Sequence, residues 1–335
     1  MTAGARVRVL AGAVLVAVLA GCGALSPRPP AAGPAGQPVP PSGSPAPAPS
    51  SLPYDMSGLL HPTGGKFFGV EAEGAPSLAP VASFASSVGR RPDLIGQYLA
   101  WNSSFDAHAV AAAWSYGALY YIAWEPFGTS AQAVAGGQSD RYISTFARAV
   151  RALNLPVAIS FGHEMNGNWY PWGTGQTTPA DFVAAWRHVH NLFIQAGASN
   201  VIWVWNPNVI SAEPQLDLSA YYPGDSYVDW AGITGYFPAS GPKTFTSLYG
   251  PTMAEIKQFT TKPVIIAETS VETGPAELQA AHSLVAGVKR HPGVLGLIWF
   301  DFDKAGVNWR LESRPALRAA VAADIAGLRL IDPKK

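Results

Sequence analysis

From about residue 61 to the C-terminus, short runs of apolar, β-branched and aromatic residues alternate with alanine-rich stretches whose apolar positions recur at helical spacing. Such a chain has to bury both a sheet and the helices that cover it, and strict alternation of the two is the pattern of repeated βα units with parallel strands. Eight runs read as strands: 66–70, 94–100, 118–124, 157–161, 201–205, 230–235, 264–267 and 294–300. Helices are predicted over 106–115, 140–153, 178–196, 275–290 and 315–328, and the weakest helical stretch follows the fifth strand, around 211–222. Eight βα units in about 270 residues match a single (β/α)8 barrel, in which functional side chains gather at the C-terminal ends of the strands. A doubly wound open sheet is the rival architecture.

The bulk composition narrows the partners. Lysine plus arginine equals aspartate plus glutamate at 22 each, so no excess charge points to nucleic acid or an acidic polymer. Only 13% of residues are charged while 11% are aromatic, which suits a large aromatic core and equally suits flat apolar surfaces for a neutral ligand. A single cysteine excludes an internal disulfide framework and a multi-thiolate zinc site.

The position of that cysteine matters more than its number. Arg6 and Arg8 precede a twelve-residue apolar stretch, 9–20, and Leu19-Ala20-Gly21-Cys22 closes it. Twelve residues are too short for an ordinary membrane span, which needs about 20. The segment resembles the signal of bacterial lipoproteins, which implies removal of residues 1–21, a lipid on Cys22 and an extracytoplasmic, membrane-anchored location. Eleven prolines then fall between Ser26 and Pro53 with Arg28 as the only charge, so residues 22–60 read as an extended tether and 61–335 as the folded domain.

In a barrel, the informative residues stand just after each apolar run. The fourth run continues into Gly162-His163-Glu164-Met165-Asn166-Gly167-Asn168-Trp169, and the seventh ends in Ala267-Glu268. Two carboxylates at the mouth of a barrel are costly unless paired, bonded or used. Glycoside hydrolysis by double displacement uses such a pair: one carboxylic acid protonates the departing oxygen and the other carboxylate attacks the anomeric carbon. Glu164, beside Met165 and near Trp169, is the one expected to stay protonated. His163-Glu164 lacks the second histidine of a zincin motif, and neither a dinucleotide loop nor a nucleophile elbow occurs, so neither metal nor cofactor is assigned.

The run Gly162–Trp169 resembles the signature of glycoside hydrolase family 26, best known for β-mannanases, and Pro263-Val-Ile-Ile-Ala-Glu268-Thr is similar to that family's nucleophile strand. The resemblance implies Glu164 as acid/base and Glu268 as nucleophile. It further implies that His163 orients the acid/base region, that Trp169 shapes the leaving-group subsite, that Tyr236 hydrogen-bonds the nucleophile and that Trp299 forms the platform under the −1 sugar. The third strand ends in Trp124-Glu125-Pro126 where better-known mannanases supply an early-loop histidine. Trp124 is therefore expected among the substrate-binding residues, and Glu125 either binds sugar hydroxyls, partners His163 or is purely structural.

These readings converge on a monomeric, retaining endo-β-1,4-mannanase acting on a neutral β-linked glycan, with β-1,3-xylan and mixed-linkage β-glucan as alternative substrates. A non-catalytic wall-binding lipoprotein is the alternative of another class. One expectation rests on Cys22 alone. Two or more acyl chains hold a protein at a membrane where one chain does not, so Cys22→Ala is expected to move the protein from the membrane to the soluble fraction with its folded domain unchanged. A variant that still sediments with membranes would remove the anchor from this chain.

Overall fold

The computed structural model describes residues 53–210, 216–304 and 306–335, and the signal, Cys22 and most of the tether lie outside the described residues. Eight parallel strands close into a barrel in sequence order. They are β1 (Phe67–Ala72), β2 (Leu94–Ala100), β3 (Leu119–Glu125), β4 (Val157–Phe161), β5 (Val201–Trp205), β6 (Trp230–Thr234), β7 (Val264–Thr269) and β8 (Val294–Asp301). The open-sheet alternative is thereby excluded. Helices α2 (Leu78–Val88), α3 (Ala107–Tyr116), α4 (Ala131–Ala135), α5 (Asp140–Leu153), α6 (Pro179–Ala196), α7 (Phe245–Ile256), α8 (Glu277–Arg290) and α9 (Pro315–Ala326) connect them.

Local chemistry sets the ends of these elements. In α6, the Thr178 hydroxyl accepts the Asp181 amide, Pro179 occupies the first turn, and Gly197 at φ 71° terminates the helix in the left-handed conformation. After β5, two short 3₁₀ turns form among the described residues, Leu218–Tyr221 and Asp225–Tyr227, the first of them within the expected helix, whose first residues, 211–215, lie outside the described ones. The first is started by Asp217, whose carboxylate accepts the Ser219 amide.

Burial divides along strand parity. Phe67, Leu94, Tyr121, Ala158, Ile202, Trp230, Ile265 and Ile298 form the apolar filling inside the barrel. Phe68, Ile95, Trp124, Ile159, Trp203, Ile266 and Trp299 face outward and pack with the helices. The lower end of the barrel is closed by residues assigned from sequence to the tether: in α1 (Ser57–Leu60) and the residue before it, Leu59 and Met56 join the interior filling, and the Trp230 indole donates to the Leu60 carbonyl at 3.2 Å. The folded domain therefore begins by residue 56, because two apolar side chains there have a barrel end to cover.

Closure depends on β1 meeting β8, which pair over six residues from Phe67↔Gly296 to Ala72↔Asp301. A Cβ at Gly296 would stand 2.2 Å from the Phe67 carbonyl oxygen, whereas one at Gly293 would meet nothing within 4 Å. Gly296→Ala is expected to lower stability by about 1–3 kcal/mol, in the range of overpacking, and Gly293→Ala to change it little. Denaturant midpoints of the two variants check this; equal midpoints would mean that the seam tolerates a methyl group.

Candidate active site

The mouth of the barrel is built first by the turn after β4. Glu164 adopts φ 54°, a left-handed conformation uncommon for a glutamate, two residues after Gly162 at φ 59°. Neighbouring loops hold it there. The Gly162 amide donates to the Trp124 carbonyl at 2.9 Å and the Glu164 amide to the Asn206 carbonyl at 2.7 Å. Asn166 clasps Asn208, donating through Nδ2 to its carbonyl at 2.8 Å and accepting its amide at 2.7 Å.

This clasp brings two donors onto one carboxyl group. The Asn208 side-chain amide bonds Glu164 Oε1, and the Trp169 indole N–H donates to Oε2 at 2.9 Å. The Trp169 ring lies where a Cβ on Gly167 would be, 2.3 Å away, so glycine at 167 is what lets the indole reach the glutamate. Burial, reinforced by the charge of Glu268, nevertheless raises the Glu164 pKa to about 8, against the lowering effect of both donors. Burial thus favours the neutral form of Glu164.

Glu268, on β7, lies on the other side of the mouth and is 8% exposed. The Tyr236 hydroxyl, just beyond β6, donates to its Oε1, and the Tyr98 hydroxyl from β2, which bonds Glu71 Oε2 at 3.1 Å, stands beside it and favours its anion. Burial raises the Glu268 pKa, while the two phenols and the Lys304 charge pull it back. The two glutamates thus occupy different environments, one with an indole and an amide and the other with two phenols.

His163 supports this arrangement from behind. It is fully buried, its carbonyl accepts the Trp172 indole at 2.7 Å, and its Nε2 lies 3.3 Å from the Tyr170 hydroxyl. Tyr170 and Trp172 stack at 4.4 Å. Burial, with the Lys304 charge adding to it, lowers the imidazole pKa to about 3, so the ring is a neutral packing and orienting group. Glu125, at the end of β3, shares the mouth, and burial with the Glu268 charge raises it to about 7 against the pull of Lys304. Its role as partner of His163 is not what forms, since Nε2 of that ring faces Tyr170 and Nδ1 is unbonded.

Two sequence expectations are corrected by strand parity. Trp299 is fully buried between β8 and the surrounding helices and presents no face to the mouth. Phe300, one residue on, is the inward residue and packs against Tyr98 and Tyr236. Trp124 is likewise outward and fully buried, stacked on Phe146 of α5 at 4.4 Å with its indole donating to Tyr142. Glu164, Glu268, His163, Trp169, Tyr236 and Glu125 do come together at the mouth.

Sequence reasoning also missed residues that the fold delivers. Asn206 and Asn208 directly follow β5, a position that signals the mouth once the strand is placed. Glu71 is a charge within an apolar strand, which is itself a signal. Tyr98 stands near the end of β2. Lys304 and Trp309 come from the excursion after β8, where β9 (Asp303–Lys304) and β10 (Val307–Asn308) pair. The Lys304 ammonium lies over the Tyr98 and Phe300 rings, and Trp309 packs on Tyr236 at 5.1 Å.

A family model described as Glycosyl hydrolase family 26 matches residues 128–268, a span that reaches from the loop after β3 to Glu268 itself. Over that span the chain is similar to glycosyl hydrolase family 26. It is 29% identical over 259 residues to Endoglucanase H of Acetivibrio thermocellus, covering 73% of this chain and 29% of that protein. It is 32% identical over 125 residues to the mannan endo-1,4-beta-mannosidase A and B of Caldalkalibacillus mannanilyticus, covering 35% and 21% respectively. The chain therefore spans less than a third of the length of these curated relatives. A modular endo-beta-1,4-mannanase from Cellulomonas fimi shares the fold, with a TM-score of 0.63 at 18% identity over 81% of this chain and 72% of that one.

At this site, the donors on Glu164 can be tested without turnover. Trp169→Phe keeps a ring but removes the indole N–H that favours the carboxylate, so the Glu164 pKa should rise further from about 8. Carboxyl titration followed by ¹³C NMR checks the direction. A midpoint that falls or stays put would mean that the indole does not bond the carboxylate in solution.

Proposed function

We propose that this protein is a retaining endo-β-glycosidase, with Glu164 as acid/base and Glu268 as nucleophile, acting on a mannan-type polysaccharide. One observation carries the reading: two buried carboxyl groups share the barrel mouth, and their partners differ in the way double displacement needs. Glu164 is held neutral by burial, as a general acid must be, while Glu268 faces two phenolic donors that favour its anion.

The chemistry follows from this division. The Glu164 proton passes to the glycosidic oxygen as the bond to the anomeric carbon breaks, and a Glu268 oxygen forms the new bond to that carbon. The leaving chain departs as an alcohol. Glu164, now a carboxylate, takes a proton from water; the resulting oxygen attacks the same carbon from the opposite side and releases Glu268. Two inversions return the original configuration. Trp169 fits the leaving-group side, because its ring adjoins Glu164 and is only half-buried.

Mixed-linkage β-glucan is the second reading. It is favoured by the endoglucanase relative, which aligns with most of this chain, whereas the mannosidase relative aligns with about a third. For location, we propose that the enzyme acts outside the cell membrane, held by a lipid on Cys22 through the proline-rich tether.

Rescue chemistry separates the two carboxyl roles. Glu164→Ala acting on a dinitrophenyl glycoside, whose leaving group needs no proton, should accumulate the covalent intermediate, and azide should convert it to the β-glycosyl azide. Glu268→Ala cannot form that intermediate, so azide should attack directly and give the α-product. The anomeric configuration read by NMR decides it, and the same configuration from both variants would overturn the roles. Reducing-end release from mannan, mixed-linkage β-glucan and β-1,3-xylan by wild-type protein ranks the substrates.

A further inference from the structure

A third buried glutamate enters the mouth from β1, and it has no part in the reaction described above. Glu71 is 1% exposed and shares the inward parity of Phe67. Across the sheet it is in register with Gly96, where a Cβ would stand 2.3 Å from Glu71 Cγ and 2.8 Å from Oε1. The space that holds this carboxyl group exists only because β2 has a glycine there. Oε2 lies 3.1 Å from the Tyr98 hydroxyl, and Oε1 is buried without a hydrogen-bond partner.

The Tyr98 hydroxyl has one proton to share between two neighbours: it lies within hydrogen-bond distance of Glu71 and stands beside Glu268, whose anion it favours. If both were anions, one of them would be buried facing a lone pair, and among the described residues neither forms an ion pair that would offset this. Glu268 has to be the anion in order to attack. We propose that Glu71 is a carboxylic acid that donates its proton to the Tyr98 oxygen and so commits the tyrosine's own proton to the Glu268 carboxylate. Glu71 is then a positioning residue that acts on the nucleophile through Tyr98, and hydrogen bonds in such a chain strengthen one another. This inference rests on the assignment of Glu268 as nucleophile.

The groups around Glu71 agree with a neutral acid. Glu268 from β7 and Glu125 from β3 present negative charge, Tyr121 is close by, and Lys304 acts across the Tyr98 ring. Burial and the Glu268 charge together push the Glu71 pKa well above the usual carboxylate range, the opposing pulls of Tyr98 and Lys304 notwithstanding.

Three measurements on the whole protein test the proposal. Glu71→Gln keeps a donor toward Tyr98 and removes no charge if Glu71 is already neutral, so kcat should stay within about twofold and the acidic limb of kcat/KM should not move. Glu71→Met keeps the length but not the donor, and kcat should fall about fivefold or more with the fold retained. An acidic limb that drops in Glu71→Gln would show that a negative charge beside Glu268 had been removed, and would overturn the proposal. The third measurement needs no turnover: ¹³C spectra of glutamate-labelled wild type at pH 7 should contain a protonated carboxyl signal that is missing from either Glu71 variant. A carboxylate signal for Glu71 at that pH would overturn the proposal even if one variant fails to fold. Failure of wild type to release reducing ends from any β-glycan would instead strike the proposed function, and the spectra would still decide the protonation of Glu71.

Discussion

Four carboxyl groups, Glu71, Glu125, Glu164 and Glu268, crowd one barrel mouth with Lys304 as the cation acting on all of them. Removing a carboxylate from water costs several kcal/mol unless partners replace the lost solvation, so four anions cannot coexist there. The site solves this by protonation, and its hydrogen-bond donors decide which oxygens stay charged. The loops after β4, β5 and β6 supply donors that fit that distribution. The strained backbone at Glu164, the Asn166–Asn208 clasp and the two phenols on Glu268 all assign donors to particular carboxyl oxygens.

The same crowding ties stability to pH. A carboxyl group whose pKa is raised on folding holds its proton in the native state over a range where the unfolded chain has lost it. The native state then binds more protons than the unfolded state, and stability falls as pH rises through that range. For Glu164 the range runs from the ordinary carboxylate value of 4.5 to about 8, and for Glu125 from the same value to about 7. The stabilisation is complete below both values and lost above them. A site that keeps Glu164 protonated near neutrality therefore weakens the fold at the alkaline end, where Glu164 loses that proton.

Much of this was legible in the sequence, for a physical reason. Parallel strands buried on both faces must be continuous apolar runs, so eight such runs gave the barrel, and a carboxylate directly after a run marked Glu164 and Glu268. The same continuity hides parity. Trp299-Phe300 and Trp124-Glu125 are adjacent pairs in strands with no polar face, and nothing in an unbroken apolar run says which residue of a pair points inward. Strand length hid Glu71 as well: the first run was ended at residue 70, and the strand continues to Ala72. Residues 56–60 read as tether because proline dominates the segment before them, while Met56 and Leu59 are too few to form a recognisable pattern.

Parity also explains why a phenylalanine on β8 matters more to the chemistry than the tryptophan beside it. Phe300 stands edge-on to Tyr236, with centroids 5.6 Å apart, and edge-on to Tyr98 at 6.4 Å. One ring thus braces both phenols beside Glu268, and Phe302 stacks behind it at 4.5 Å. Edge-to-face packing fixes the direction of a ring as well as its distance, and a hydroxyl carried on a fixed ring loses little freedom when it bonds the carboxylate. In the proposed reaction, donors set in place beforehand need no reorganisation as charge moves on and off Glu268. The aromatic packing of β2, β6 and β8 and the electrostatics of β7 are in this sense one structure, with the rings holding the donors and the donors selecting which glutamate bears the charge.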